Sequence, residues 1–488
     1  MKSGAKRTWT SRADGNAHAG CGDAILTMRS ILFFVGLILA AAIIIVPSAG
    51  AQTSAQAKNI ILLGHNDLGG HGDGGEGMAI QALDGRRILY IAHEGAQYCL
   101  SIVDVTNPRD PVLLNNLPSP NPGVTRCNSL GLSGNVLVVA DQTNQPGEKP
   151  AGMWVLDVSS LARVRKAKRV QDLALSFFDT SGPHSRGVHF VWFVDGQFAH
   201  ISTGMPGVTP DDPKDDQFYV IVDLRDPRHP REVGRWWYPG THVGDACLPG
   251  CLPPREKIDV GYRLHNVEVW PSHPNRAYAG YIEGGAFILN ISGLAKVKAG
   301  QATHFTPTVV GHVRFDPPYP GFTHTFQPIF SRGLAVVSDE VQHGCKDDPK
   351  LDWLLDIRAE TNPMVIATSP ISNENGDMCA RGGRFGSHNI APYLASSTSA
   401  NLENSIVASW FNGGVRIFHI THGPSWFPNA PPHLEEIGYY IPAALPGDPG
   451  GAPQINDAIV DEHDLIYAVD RLTGGLYILK YTGPVPLN

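Results

Sequence analysis

"LSIVDVTNPRDPVLL", residues 100–114, reads as a strand, a tight turn and the start of a second strand. Apolar and β-branched residues fill Leu100–Val105, and Asn107, Pro108 and Pro111 then break the run. The same figure returns in "FYVIVDLRDPRHPREVG" (218–234) and "DWLLDIRAETNPMVIA" (352–367). Looser copies are "MWVLDVSSL" (153–161), "AFILNISGL" (286–294), "VRIFHITHG" (415–423) and "LYILKYTGP" (476–484). Their marker residues are Asp104, Asp157, Asp223, Asn290, Asp356, His419 and Lys480, which stand 53 to 67 residues apart.

Each copy is preceded by another β run, such as "ILYIAHEG" (88–95) or "LIYAVDRLTGG" (465–475). A unit therefore holds four short strands, punctuated by a share of the chain's 53 Gly and 39 Pro. Repeats of this length and content predict an all-β fold, a seven-bladed β-propeller over residues 57–488. The last unit lacks an outer strand, and "KNIILLGHND" near residue 60 can supply it, closing the ring with an N-terminal strand. Two β-sandwich domains are the alternative. The "IVDV…NP…P" pattern resembles the LVIVD-repeat family, whose members are predicted exported propellers. That resemblance covers most of residues 57–483 and implies fold, with little assigned chemistry.

Residues 28–51 read as a signal peptide: Arg29, an apolar core over Ile31–Val46, and a small-residue site at Ala49-Gly50-Ala51. An export signal implies a periplasmic or secreted protein that meets the membrane only if the signal stays uncleaved. Residues 1–27 precede the charged start and read as a mis-called or disordered beginning. Net charge is −8 with no basic cluster, which argues against nucleic acid as a partner. After Cys21 the cysteines fall as Cys99 and Cys127, Cys247 and Cys251, and Cys345 and Cys379. An even count in an exported chain predicts disulfides, and proximity favours those three pairs. Cys127 has the alternative of facing the channel.

Four histidines, His189, His265, His324 and His388, open the apolar stretch of successive repeats. Equivalent positions in a propeller lie at equal radius, so these imidazoles are expected to converge on the axis as ligands of a transition metal, Fe(II) or copper favoured. The matching position falls at Cys127 in the second unit, Asn456 in the seventh, and Gly77 or Met78 in the first. Acidic residues of the loops ringing the same mouth, Glu94, Glu283, Asp339 and Glu340, are expected to orient imidazoles or act as a general base. His184, Arg126, Arg186 and Arg263 are candidates to contact a small, anionic substrate. The Gly-rich run "GHNDLGGHGDGGEGM", with His65, Asp67, His71, Asp73 and Glu76, reads as a link, with a cation site as the alternative.

An exported propeller with four axial histidines resembles, in architecture, the carotenoid cleavage oxygenases, which hold Fe(II) with four histidines. It is also similar to the selenium-binding-protein or methanethiol oxidase group, of which "RLHN" at Arg263–Asn266 is a short echo. The function expected is thus a metal-dependent oxidoreductase using O₂. The alternatives are a metal-dependent hydrolase or lyase, and a non-catalytic surface-binding propeller.

Overall fold

The computed structural model describes residues 54–488, apart from 246–251, 253–259, 316–320, 348–349, 371–373, 423–429 and 449–450. The expected signal peptide, the start before it and the Cys247–Cys251 pair lie outside the described residues. Within them the chain forms seven antiparallel sheets, the blades of a propeller. Blade one is Gly74–Leu83, Arg86–His93, Tyr98–Asp104 and Val112–Pro118, in chain order from the innermost strand. Blades three, four and five follow the same order and begin at Val188–Trp192, Leu264–Glu268 and Thr323–Ile329.

The marker residues have a shared structural cause. Asp104, Asp157, Asp223, Asn290 and Asp356 each end a third strand, and each side chain accepts the backbone N–H two residues on. This Asx turn satisfies a donor as the chain leaves the sheet. His419 and Lys480 lack a carboxylate or amide and make no such turn in the last two blades.

Those two blades also depart from the simple repeat. Ile60–Asn66 pairs with Leu476–Tyr481 as the fourth strand of blade seven, in a register from Ile60 opposite Tyr481 to Asn66 opposite Leu476. Gln56–Lys58, just before it, lies against His433–Ile441 on the outside of blade six. The inner stretch around His388 is not a regular strand. It follows Ser405–Ser409 through an Ile390–Ala408 bridge, with Ala391 N–H to Val407 O at 2.8 Å and Ser409 N–H to Asn389 O at 2.9 Å. Pro392 then ends the pairing, having no N–H to give.

Faces between blades are filled by large apolar side chains, including Trp410, Tyr219, Tyr278 and Tyr467, all fully buried. Burial on both sheet faces accounts for the low charged content of 17%. Among the described residues helices are short, and no helix is long and apolar enough to cross a membrane. Cys99–Cys127 and Cys345–Cys379 are disulfide-bonded. Cys127 is therefore a brace between the first two blades and not a ligand facing the channel.

Candidate metal centre

The inner strands of blades one, three, four, five and seven slip in register around the residue that points to the axis. In blade three, Val188 pairs with Thr203 and Phe190 with Ser202, so His189 is an extra residue in the ladder. The same slip falls at His324, between Thr323 and Thr325, and at Asn456, between Ile455 and Asp457. In blade four it spans Leu264 to Val267, which includes His265. A β-bulge re-aims a side chain, and here it turns one residue per strand inward. Blade one carries a longer slip: Gly74 pairs with His93 and Met78 with Ile91. The extra length places Glu76, rather than Gly77 or Met78, at the centre.

His189 Nε2 and His265 Nε2 stand 3.0 Å apart. Ring centroids of His265 and His324 are 3.8 Å apart, and those of His324 and His388 4.5 Å. Glu76 reaches into the cluster with Oε2 at 3.9 Å from His189 Nε2 and 3.5 Å from His324 Nε2, and Oε1 at 3.6 Å from His388 Nε2. Glu340 places Oε2 at 3.8 Å from His265 Nε2 and Oε1 at 3.7 Å from His388 Nε2. Ligands on an ion of zinc size, with bonds near 2.0–2.1 Å, stand roughly 3–4 Å from their neighbours. Three overlapping trios meet this spacing, with all ligand atoms of a trio within 4.8 Å: Glu76, His189 and His265; Glu76, His324 and His388; His265, His324 and Glu340.

The outer nitrogens fix the tautomers. His189 Nδ1 lies 3.0 Å from Gln142 Oε1, and that oxygen also accepts from Arg126 Nε, which settles the amide orientation. His265 Nδ1 lies 2.9 Å from Asn266 Oδ1, while Asn266 Nδ2 donates to Thr325 Oγ1. His324 Nδ1 meets Thr325 Oγ1 at 2.9 Å, and His388 Nδ1 meets the Asn456 carbonyl at 2.6 Å. With Nδ1–H donating outward, each Nε2 presents a bare lone pair inward. His189 and His265 then face each other lone pair to lone pair at 3.0 Å, an arrangement a shared cation relieves. His324 Nε2, His388 Nε2 and Glu76 Oε2 are buried with no hydrogen-bond partner. Orphaned buried polar atoms are costly, and these three look at one another.

Electrostatics divide the histidines. Burial, reinforced by His265 and His388, pushes His324 down to about 3, and burial with His265 pushes His189 well down. His388 is raised: burial opposes its charge, but the nearby Glu76 and Glu340 carboxylates outweigh it. Glu76 and Glu340 are buried, which opposes their charge, yet the neighbouring imidazoles hold both low, with Arg384 assisting at Glu340.

The other expected residues divide. Glu340 lies within the ligand cluster itself and not behind it. Glu94 faces the same mouth, held by Arg126 and by Arg471 at 2.9 Å. Glu283 lines a separate surface cavity shared with Glu340. Asp339 turns away: its carboxylate accepts from Trp353 Nε1 at 2.7 Å, and it is a strand brace, not a base at the centre. His184 is exposed and does not line the chamber. In the Gly-rich run, Asp73 pairs with His93 and His65 bonds Gly474 O, so no separate cation site forms there among the described residues.

Arg126, Arg186 and Arg263 line a chamber of about 300 Å³ that borders Glu76, His189, His265 and Glu340. Two arginines that sequence reasoning did not single out, Arg384 and Arg471, complete its rim. Arg384 lies in an irregular loop before His388, whereas Arg471 follows Asp470 as Glu94 follows His93 and Glu340 follows Asp339, a repeat position open to the sequence.

No family model matches the chain, so the likeness to the LVIVD-repeat family rests on the quoted repeat residues. No curated protein matches it either. Among solved structures it is similar to the β-propeller domain of Cps50 (Swd1) from Myceliophteria thermophila, at 13% identity and TM-score 0.47, over 83% of this chain and 96% of that one. It is also similar to U3-55K, at 12% identity and TM-score 0.49, over 88% of this chain and 100% of that one.

Proposed function

We propose that this chain is an exported metal-dependent enzyme, an oxidoreductase that uses O₂ at an ion held on the propeller axis by His189, His265, His324 and His388 with Glu76 and Glu340. The observation that carries the reading is the meeting of His324 Nε2, His388 Nε2 and Glu76 Oε2, all buried and partnerless. Two carboxylates beside the imidazoles alter the expectation of an uncharged shell. Imidazole suits iron and copper, while carboxylate oxygen suits harder ions, so the mixed set favours Fe(II) over copper. The chamber touches four of the six ligands, which leaves a side for substrate or O₂, as a catalytic site requires. A redox-active ion would supply electron exchange with O₂; the chain's own residues keep Nε2 bare and exclude bulk water. A metal-activated water serving a hydrolase or lyase would use the same shell, and O₂ uptake separates the two. The two disulfides support export, since such bonds persist in oxidising compartments.

The test is metal analysis of the full chain purified from metal-replete cells, alongside His324→Ala and Glu76→Gln. Wild type should hold one ion per chain, or two if Glu76 bridges the overlapping trios. Either variant should lose at least ~10-fold in affinity while keeping a wild-type circular dichroism spectrum. A wild-type chain that takes up no Fe(II), copper, manganese or zinc on titration sinks the proposal.

A further inference from the structure

The chamber above the ligands has a charge balance that its own residues leave incomplete. Five guanidinium groups line it: Arg126, Arg186, Arg263, Arg384 and Arg471. Three carboxylates answer them. Asp216 is shared by Arg186, at 2.5 Å, and Arg263, at 3.2 Å. Glu94 is shared by Arg126 and Arg471, and Glu340 takes Arg384 at 2.9 Å. Among the described residues, five cations against three anions leave an excess of two positive charges, with Glu76 committed to the histidines. Two N–H groups also lack any acceptor: Arg263 Nε and Arg471 Nη1. Arg263 precedes the inner strand of blade four and Arg471 follows the second strand of blade seven, so the two stand on well-separated blades of the ring. Phe322 is the one apolar residue in the lining among the described residues.

We infer that the chamber binds a small organic dianion, a dicarboxylate, with its carboxylates on the Arg263 and Arg471 sides and its body over the ligand cluster. The volume of about 300 Å³ sits at the lower end for small-molecule sites, which limits the ligand to a few carbons. Arginine forks match carboxylate oxygens two by two. A polar wall gives no place to a long hydrophobic chain, so the likeness to carotenoid-cleaving propellers does not extend to substrate. Binding of the dianion stands on the arginines alone; calling it the substrate rests on the metal-centre reading.

Calorimetric titration of the metal-loaded full chain with malonate, succinate, acetate and inorganic phosphate tests this. A dicarboxylate should bind at least ~10-fold more tightly than acetate or phosphate. Arg263→Met and Arg471→Met should each weaken it ~10-fold or more, with metal content unchanged. Arg263→Lys and Arg471→Lys keep the charge without the fork and should restore part of the loss, which also guards against a folding defect. Arg225→Met, at a surface pair with Asp223, should change nothing. Full metal content without dicarboxylate binding, or a preference for phosphate, overturns the inference and leaves the metal reading standing. Dicarboxylate binding to a chain that never holds metal upholds the anion site and overturns that reading instead.

Discussion

The two sides of the histidine cluster treat their acids in opposite ways. On the chamber side Glu340 meets Arg384 and two imidazoles, and its carboxyl is held low. Farther along the same inner strands lies a narrow cavity of about 40 Å³, lined by Met78, Phe190, Trp192, Ile390, Glu268 and Asp457 among others. There, burial raises Glu268 well above its ordinary value and pushes Asp457 up to about 7. Among the described residues burial alone shifts Glu268, and its Oε2 lacks a hydrogen-bond partner. Glu76 lines both cavities and belongs electrically to the first. The contrast teaches that the centre has one face where imidazoles and a guanidinium hold a carboxyl low and one where burial alone holds carboxyls up.

Glu340→Gln against Glu268→Gln breaks or sharpens that contrast most directly. The first should lower metal affinity ~10–100-fold and reduce turnover with it. The second replaces an acid that burial holds well up and should leave metal content within error of wild type. Equal metal loss in both variants, read by metal analysis after dialysis, would show that the far acid is a ligand after all. A smaller effect is expected one shell outward, at Gln142→Leu. That change removes the acceptor that fixes His189 Nδ1–H and should weaken metal binding ~10-fold. Unchanged affinity would mean that the His189 tautomer needs no such support.

Much of this was legible in the sequence, and the misses share a cause. His189, His265 and His324 keep one place in the repeat because each bulge adds the same single residue to its strand, and His388 keeps it without a regular strand. Glu76 was misplaced as part of a link because blade one slips by more, and nothing in "GGEGM" announces a longer bulge. Glu340 was seen at the mouth but set behind the ligands: strand periodicity says which loop holds a residue and not how far its side chain reaches. Asp339, one residue earlier, points into the blade by simple alternation, and Trp353 sits there to receive it. Arg384 lies where the repeat has no register, while Arg471 holds the place of Glu94 and Glu340 in its blade and was passed over because it carries the opposite charge. The blades themselves were legible through Asx turns that recur five times, and they blur where His419 and Lys480 replace the acid.

The smallest expected effect concerns stability. Asp141 lies in the second strand of blade two, Val136–Thr143, with Trp154 Nε1 donating to it at 2.8 Å. Burial raises it to about 7, against an ordinary value of 3.8. A carboxyl whose folded value exceeds its unfolded value is protonated in the fold while the unfolded chain has already ionised. Its stabilising share is therefore complete below about pH 4 and is lost as pH rises through about 7. Asp141→Asn keeps the carbonyl acceptor for Trp154 and cannot ionise. Denaturant unfolding should then show the variant gaining on wild type by roughly 1–3 kcal/mol between pH 5 and pH 8. A constant gap would mean that Asp141 is already charged in the fold. The rule drawn from the two sides of the centre, that a buried acid here is ionised only where a cation meets it, would then fail in the second blade.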